Sequence, residues 1–416
     1  MFSLLKNRGV LFLSLSNTVS QLGDRLTHMV IVTLIGVVSP GRVSAFSEFA
    51  VAFSLPVMLL SPFVGVLVDH WNKQTIMFRC HIIQTVLIIL TPTVVGLTHS
   101  VVPIWVLVIL FFSLDVFNNT SRNTVIPDLV PFDDLVPANS IIVTLTRVAT
   151  FLGMVGGGYL IKWVGWQLGF YIDASTHCIA GCLALGMGAR ILFEPVKKID
   201  FSLGRELKKS LKLFANDLRE LLILLARDRV VVFVMISVFI LPLVASTAYT
   251  ILIFMVQQQF GLGTAGVGLF GGVIGIGMLA GAVAMGIFGR LVSRGVILIV
   301  SMAALTIFFL LGPFFVTPVF LYIMAFIAGV VFSLIGIAQD TMLQEDVLKG
   351  IRGRIFGTKE FIINLTFTVC AVIIGIVSSR LAPYTILFIV GFVLLLATGF
   401  SLVIFRQIPS EIRAKL

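Results

Sequence analysis

Residues 230–289 contain no Asp, Glu, Lys, Arg or His, and neither do residues 295–339. No water-soluble surface can be covered by stretches of that length. Soluble domains average about 25% charged residues, whereas this chain has 12%, with 58% hydrophobic and a mean hydropathy of +1.12. Its solvent is hydrocarbon. A bilayer core about 30 Å thick needs about 20 apolar residues of helix to cross it. Helix is the default there because backbone groups cannot be left unpaired in lipid. A β-barrel would show alternating segments of about ten residues; the apolar runs here are longer and unbroken. They predict twelve helices, over 9–36, 43–68, 76–97, 101–123, 137–161, 168–191, 230–256, 264–288, 295–315, 317–341, 356–379 and 382–405. The expected fold is an all-α membrane protein.

The net charge of +10 follows from topology. Of the 29 Lys and Arg, three (Arg42, Lys162, Arg380) fall on the side opposite the N-terminus, two (Arg25, Arg147) lie inside predicted helices, and the rest share the side of both termini. Basic loops stay in the cytoplasm, so both termini are expected there. Nucleic-acid binding fits poorly with charge confined to loops. Lys6 and Arg8 precede the first run, but no small-residue cleavage site follows, so that run is expected to be a first crossing. Cys80, Cys178, Cys182 and Cys370 have neither a zinc nor a redox spacing. No HExxH, G-x-S-x-G or Walker A sequence occurs, so neither an enzyme nor a resident cofactor or metal is expected.

Residues 192–229 form the longest connector, rich in Lys and Arg. Leu207, Leu211, Phe214, Leu218, Leu221, Leu222 and Leu225 recur there at helical spacing, predicting an amphipathic helix along the membrane surface. It separates a six-helix bundle over 1–191 from another over 230–416. The halves echo each other. Gly65-Val-Leu-Val-Asp69-His-Trp-Asn-Lys73 follows the second run, and Gly286-Ile-Phe-Gly-Arg290-Leu-Val-Ser-Arg294 follows the eighth. Pro127-Asp128-Leu-Val130 follows the fourth, and Glu345-Asp346-Val-Leu348 follows the tenth. Such duplicated bundles occur in secondary transporters, with the site between repeats near mid-membrane.

The first of these loops resembles the G-x-L-A-D-R-x-G-R/K-R/K signature of the major facilitator superfamily, with His70 for its Arg and Asn72 for its second Gly. The resemblance implies two pseudo-symmetric six-helix bundles and gives Gly65, Asp69 and Lys73 a gating role. Arg290 stands where the second copy would have its Asp. Asn119-Thr-Ser-Arg122 through Ala138-Asn139-Ser140, and Gln344 through Gly357, are similar to the branch of enterobactin exporters and macrolide efflux proteins. Ser20-Gln-Leu-Gly23-Asp24 resembles that branch and the lysophospholipid transporters. Gly153-Met-Val-Gly156-Gly157-Gly158 resembles the antiporter motif of the fifth helix, with Met154 replacing its Pro; these glycines are expected to let helices pack closely or bend.

Ionisable side chains inside a bilayer are costly unless they face a cavity or a partner. The first run carries Asn17, Gln21, Asp24, Arg25 and His28 as a polar stripe. Asp24 and Arg25 point about 100° apart and need not pair. The fourth run carries Asp115, Asn118, Asn119 and Arg122, the fifth Arg147. Glu48 lies near the non-cytoplasmic surface, Asp173 is read as the start of the sixth helix there, and Arg122 as snorkelling at the cytoplasmic end. Asp24, Arg25, Asp115 and Arg147 are expected to line a cavity, with His28 and Glu48 as further candidates. Asp24, then Asp115, would carry the proton. The alternative for each is a fixed interhelical ion pair.

The resemblance and these residues together imply a secondary transporter of a bacterial inner membrane, expected to work as a monomer, with protons, membrane lipids and a small molecule or lipid as partners. The expected activity is proton-coupled efflux of an amphiphilic drug-like compound or siderophore. A lysophospholipid flippase and a transport-inactive scaffold or sensor are the rivals.

Overall fold

The computed structural model describes residues 2–69, 71–98, 100, 102–131, 134–187, 208, 211–216, 219, 229–289, 291–315, 317–346 and 352–408. After a 3₁₀ turn (Phe2–Lys6), these form α1 (Arg8–Val38), α2 (Val43–Asp69), α3 (Lys73–Thr98), α4 (Val102–Leu129) and a helical run over Leu135–Leu185. The stretch Pro137–Leu185 within that run is 49 residues long. As a straight helix it would measure about 75 Å, over twice a hydrocarbon core. Gly165 resolves this. Its φ of 80° and ψ of 167° are non-helical, a region essentially reserved for glycine. A Cβ on Gly169 would collide with Ile161 Cδ1, so the chain doubles back and the run is two crossings, α5 (135–164) and α6 (166–185). The sequence suggests a loop over 162–167. The structure keeps the residues on either side of Gly165 helical and turns at that one glycine.

Then come α7 (Arg229–Thr247), α8 (Gly263–Phe288), α9 (Arg294–Leu311), α10 (Pro318–Asp346), α11 (Arg352–Val377) and α12 (Pro383–Gln407). With the α5–α6 run counted once, eleven of the described helices are long and apolar enough to cross a membrane.

Helix starts are set by local chemistry. The Asn7 side chain accepts from the Gly9 and Val10 amides at 2.9 and 3.4 Å, and Asn72 accepts from Thr75 N at 3.0 Å. Both satisfy amides that have no intrahelical partner. Asn72, the departure from the family's glycine, is therefore the cap of α3. Pro242 sits inside α7. Beyond it Ala248–Leu252 and Met255–Gln259 wind as π-helical turns, with the Phe260 amide reaching Met255 O at 2.9 Å.

The described chain divides into two compact units. One holds α1, α2 from Ala52 onward, α3 to α6, and Leu262–Leu269 at the start of α8. Val10, Leu13, Met77, Val125, Ile126 and Ile142 pack together at one end of its interior. Glycines set its helix spacing. A Cβ on Gly153 would lie 2.8 Å from Arg25 Cβ, one on Gly157 3.0 Å from Leu26 Cδ2, and one on Gly158 2.8 Å from Thr264 O. Gly156, next to them, faces open space. Helices in lipid associate largely through such close packing.

The other unit holds Arg42 and the start of α2 to Val51, α7, α8 from Phe270, and α9 to α12. Its core contains Phe233, Met302, Leu305, Ile335, Met342 and Leu394, all fully buried. Gly277 and Gly329 interlock α8 with α10: a Cβ on Gly277 would collide with Phe326 O, and one on Gly329 with Ile274 O. Lys359, 5% exposed, pairs with Asp340 of α10. Of the expected surface helix, residues 211–216 are described as helical. Phe214 packs edge-on against Phe361 of α11 at 4.8 Å between ring centroids. Apart from residues 208, 211–216, 219 and 229, that connector lies outside the described residues, as do the side chain of Asp69, His70 and Arg290.

Candidate functional site

The polar stripe of α1 faces four helices of its unit, α2, α4, α5 and α6. Asp24 is 4% exposed. Its Oδ2 accepts from Gln21 Nε2 at 2.8 Å, one turn earlier. Its Oδ1 is buried without a hydrogen-bond partner and lies 3.7 Å from His177 Nε2 of α6. Asp173, one turn before His177, is fully buried rather than at a surface. Its Oδ2 accepts from the Thr27 hydroxyl of α1. Its Oδ1 lies 3.6 Å from the same His177 Nε2 and 3.5 Å from the Thr176 hydroxyl. The close approach depends on Gly23: a Cβ there would collide with Thr176 Oγ1 and lie 2.8 Å from Asp173 Oδ1. Behind His177, Nδ1 faces His81 Nδ1 of α3 at 3.4 Å, and the Phe111 ring of α4 packs edge-on at 5.2 Å.

Asp24 and Arg25 diverge, as helix geometry requires. Arg25 sets its Cβ and Cγ against Gly153 of α5. Asp115, partly exposed, accepts from Asn119 Nδ2 of its own helix at 2.8 Å. Asp115, Arg25, Asp173 and Arg122 all act electrostatically on Asp24. Arg122 is partly exposed. It donates to Asn17 Oδ1 of α1, and Asn17 Nδ2 donates to Thr146 of α5 at 2.6 Å. His28, 7% exposed, sits edge-on to Phe53 and Phe112, each at 5.4 Å.

The other candidates lie apart from this group. Arg147 is exposed on α5. Glu48 accepts from Arg42 at 2.9 Å at the start of α2. Lys73 donates to Asp128 at the end of α4 at 2.7 Å, and Gly65 has open space around it. The residues expected from sequence do not include His81 or His177. Both are ionisable residues inside apolar runs, the same signal that marks Asp24. No group of three or more His, Cys, Asp or Glu that could hold a metal occurs among the described residues.

Among the described residues, the long apolar helices α1 to α12, the glycine-set contacts between them and the ionisable groups buried within are those of a multi-pass membrane protein. The profile of the Major Facilitator Superfamily matches residues 10–367. The chain belongs to that superfamily. Relatives include the uncharacterized MFS-type transporter YfiS of Bacillus subtilis strain 168, 26% identical over 179 residues, or 42% of this chain and 41% of that protein. The match therefore spans less than half the length of YfiS. A protein of the same strain named "Putative bacilysin exporter BacE" is 24% identical over 344 residues, 80% of each chain. Among solved structures, the nucleoside transporter NupG superposes with a TM-score of 0.68 at 13% identity, covering 95% of this chain and 99% of that one. An inward-facing bacterial homologue of the iron transporter ferroportin gives 0.70 at 16%, covering 96% and 98%. At such identities these likenesses establish the fold alone.

Proposed function

We propose that this chain exports an amphiphilic organic compound from the cytoplasm of a bacterium by alternating access, driven by inward proton flow. The segments 1–191 and 230–416 act as the rocking halves, 192–229 as a cytoplasmic tether, and the protein works as a monomer with both termini inside. The observation that carries the reading is Asp24. It is a carboxyl buried among apolar helices with one oxygen unpartnered, and Asp115, Arg25 and Arg122 act on it electrostatically. A carboxyl group in apolar surroundings holds its proton, and the same group facing water or an arginine releases it. A change of surroundings during transport therefore loads and unloads Asp24. Asp115, more exposed, is the second carrier, and Arg25 or Arg147 meets an anionic part of the compound. Gly65, Asp69 and Lys73 gate the cytoplasmic side, and the Lys73–Asp128 pair contributes to that role. The bacilysin exporter name of a relative, and the resemblance to enterobactin and macrolide exporters, favour efflux of organic compounds.

Reconstituted protein tests this with ethidium, erythromycin and lysophosphatidylglycerol as probes, under an imposed pH gradient. Movement of ethidium or erythromycin that stops when the gradient is collapsed supports the reading. Gradient-independent movement refutes the coupling. Movement of lysophosphatidylglycerol alone favours a flippase, and movement of none of the probes favours a scaffold or sensor.

A further inference from the structure

The Asp24–His177–Asp173 group has a geometry that the reading above does not use. Each carboxylate has Oδ2 occupied, by Gln21 for Asp24 and by Thr27 for Asp173. Each turns Oδ1 toward the same atom, His177 Nε2, at 3.7 and 3.6 Å. Those distances are too long for hydrogen bonds to either, and a swing that brings one to about 2.9 Å makes one. His177 Nε2 is itself buried without a hydrogen-bond partner. The imidazole is thus poised midway between two acids on different helices.

Its other nitrogen decides what Nε2 can do. A neutral imidazole carries one N–H and one lone pair. His177 Nδ1 and His81 Nδ1 face each other at 3.4 Å, so one of them must hold the hydrogen and the other the lone pair. If His177 holds it, its Nε2 is a base aimed at both carboxyl groups.

We propose that His177 passes the transported proton between Asp173 and Asp24, with His81 as the positioning residue that fixes its tautomer. This rests on the proton-coupled reading above. The Asp173 carboxylic acid gives its Oδ1 proton to His177 Nε2, leaving a carboxylate and an imidazolium. The imidazolium then gives the same Nε2 proton to Asp24 Oδ1. Throughout, His177 keeps its Nδ1–H directed at the His81 Nδ1 lone pair, and His81 holds its own hydrogen on Nε2. One proton leaves Asp173 and one arrives at Asp24. The charges around this path are Asp24 and Arg25 from α1, His81 from α3, Asp115 and Arg122 from α4, and Asp173 within α6. Arg25, Arg122 and Asp115 act on the Asp24 end. Gly23 provides the room, since a Cβ there would lie 3.2 Å from His177 Cδ2.

The full-length protein with ¹⁵N-labelled histidine, in lipid bilayers, tests this by solid-state NMR together with ethidium efflux. At neutral pH the signal lost in His177→Gln should be the Nδ1–H tautomer, and the signal lost in His81→Gln the Nε2–H tautomer. The opposite pairing overturns the proposal. In efflux, His177→Gln should lose about 100-fold of the gradient-driven rate, the usual scale for a proton-transferring side chain. His81→Gln, which keeps an acceptor, should retain more of that rate than His81→Leu. Gradient-driven efflux that survives His177→Gln overturns the inference and leaves the transport reading intact. If wild-type efflux ignores the gradient, the transport reading falls and with it the role proposed for His177.

Discussion

Gly156 and Gly158 sit two residues apart on α5 and should respond oppositely to the same substitution. A Cβ at Gly158 would lie 2.8 Å from Thr264 O, 3.1 Å from Gly268 Cα and 3.3 Å from Ala265 Cα. All three are backbone atoms and cannot rotate away. Reaching ordinary contact at 3.4 Å needs an opening of about 0.6 Å between α5 and the first turns of α8. Overpacking of this kind costs about 1–3 kcal/mol. Gly156 has nothing within 4 Å, so Gly156→Ala meets no obstacle. Both substitutions gain the same helix propensity, about 1 kcal/mol, which cancels in the comparison. Gly158→Ala should therefore be less stable than Gly156→Ala by about 1–3 kcal/mol. Thermal unfolding of the detergent-purified variants, followed by tryptophan fluorescence, measures the difference. Equal midpoints, or a higher midpoint for Gly158→Ala, would refute the claim that backbone contact at Gly158 sets this helix spacing.

Other contacts lead to further expected outcomes. Gly165→Ala forces an L-residue into a region essentially restricted to glycine and should cost about 1–3 kcal/mol, read from the same melts. Gly23→Ala should lower both stability and gradient-driven ethidium efflux, because its methyl would meet Thr176 and Asp173; unchanged efflux would show that the α1–α6 approach is not needed. Asp340→Ala leaves the buried Lys359 ammonium without that partner, so it should be less stable than the double variant Asp340→Ala/Lys359→Met; the reverse order would mean that the pair stabilises outright. Lys73→Gln breaks an ion pair whose side chains are 24% and 53% exposed, and should change stability by less than about 1 kcal/mol.

The crossings are legible in the sequence because one rule dominates: apolar runs of sufficient length have nowhere to go but lipid. The α5–α6 turn is less legible, since Lys162, Gly165 and Gln167 look like a short loop when only torsion angles reveal that Gly165 turns alone. In the site, the stripe on α1 can be read from spacing, and so can the divergence of Asp24 from Arg25. The convergence on His177 can be read only in part. Asp173 and His177 lie four residues apart on one predicted helix, but Asp24 and His81 come from α1 and α3, and no local pattern joins residues so far apart in sequence. Asp173 misleads because it lies near a predicted helix boundary, where an acid usually meets water. Here Thr27 of another helix takes water's place.

The turn at Gly165 also constrains how α5 and α6 can travel. A loop of several residues would act as a slack coupling, letting one helix slip along its neighbour. A single peptide torsion, clasped by Gly169 against Ile161, allows no such slip. Any stroke that carries the glycines of α5 must carry Asp173 and His177 of α6 with it, as the two prongs of a tuning fork share one stem.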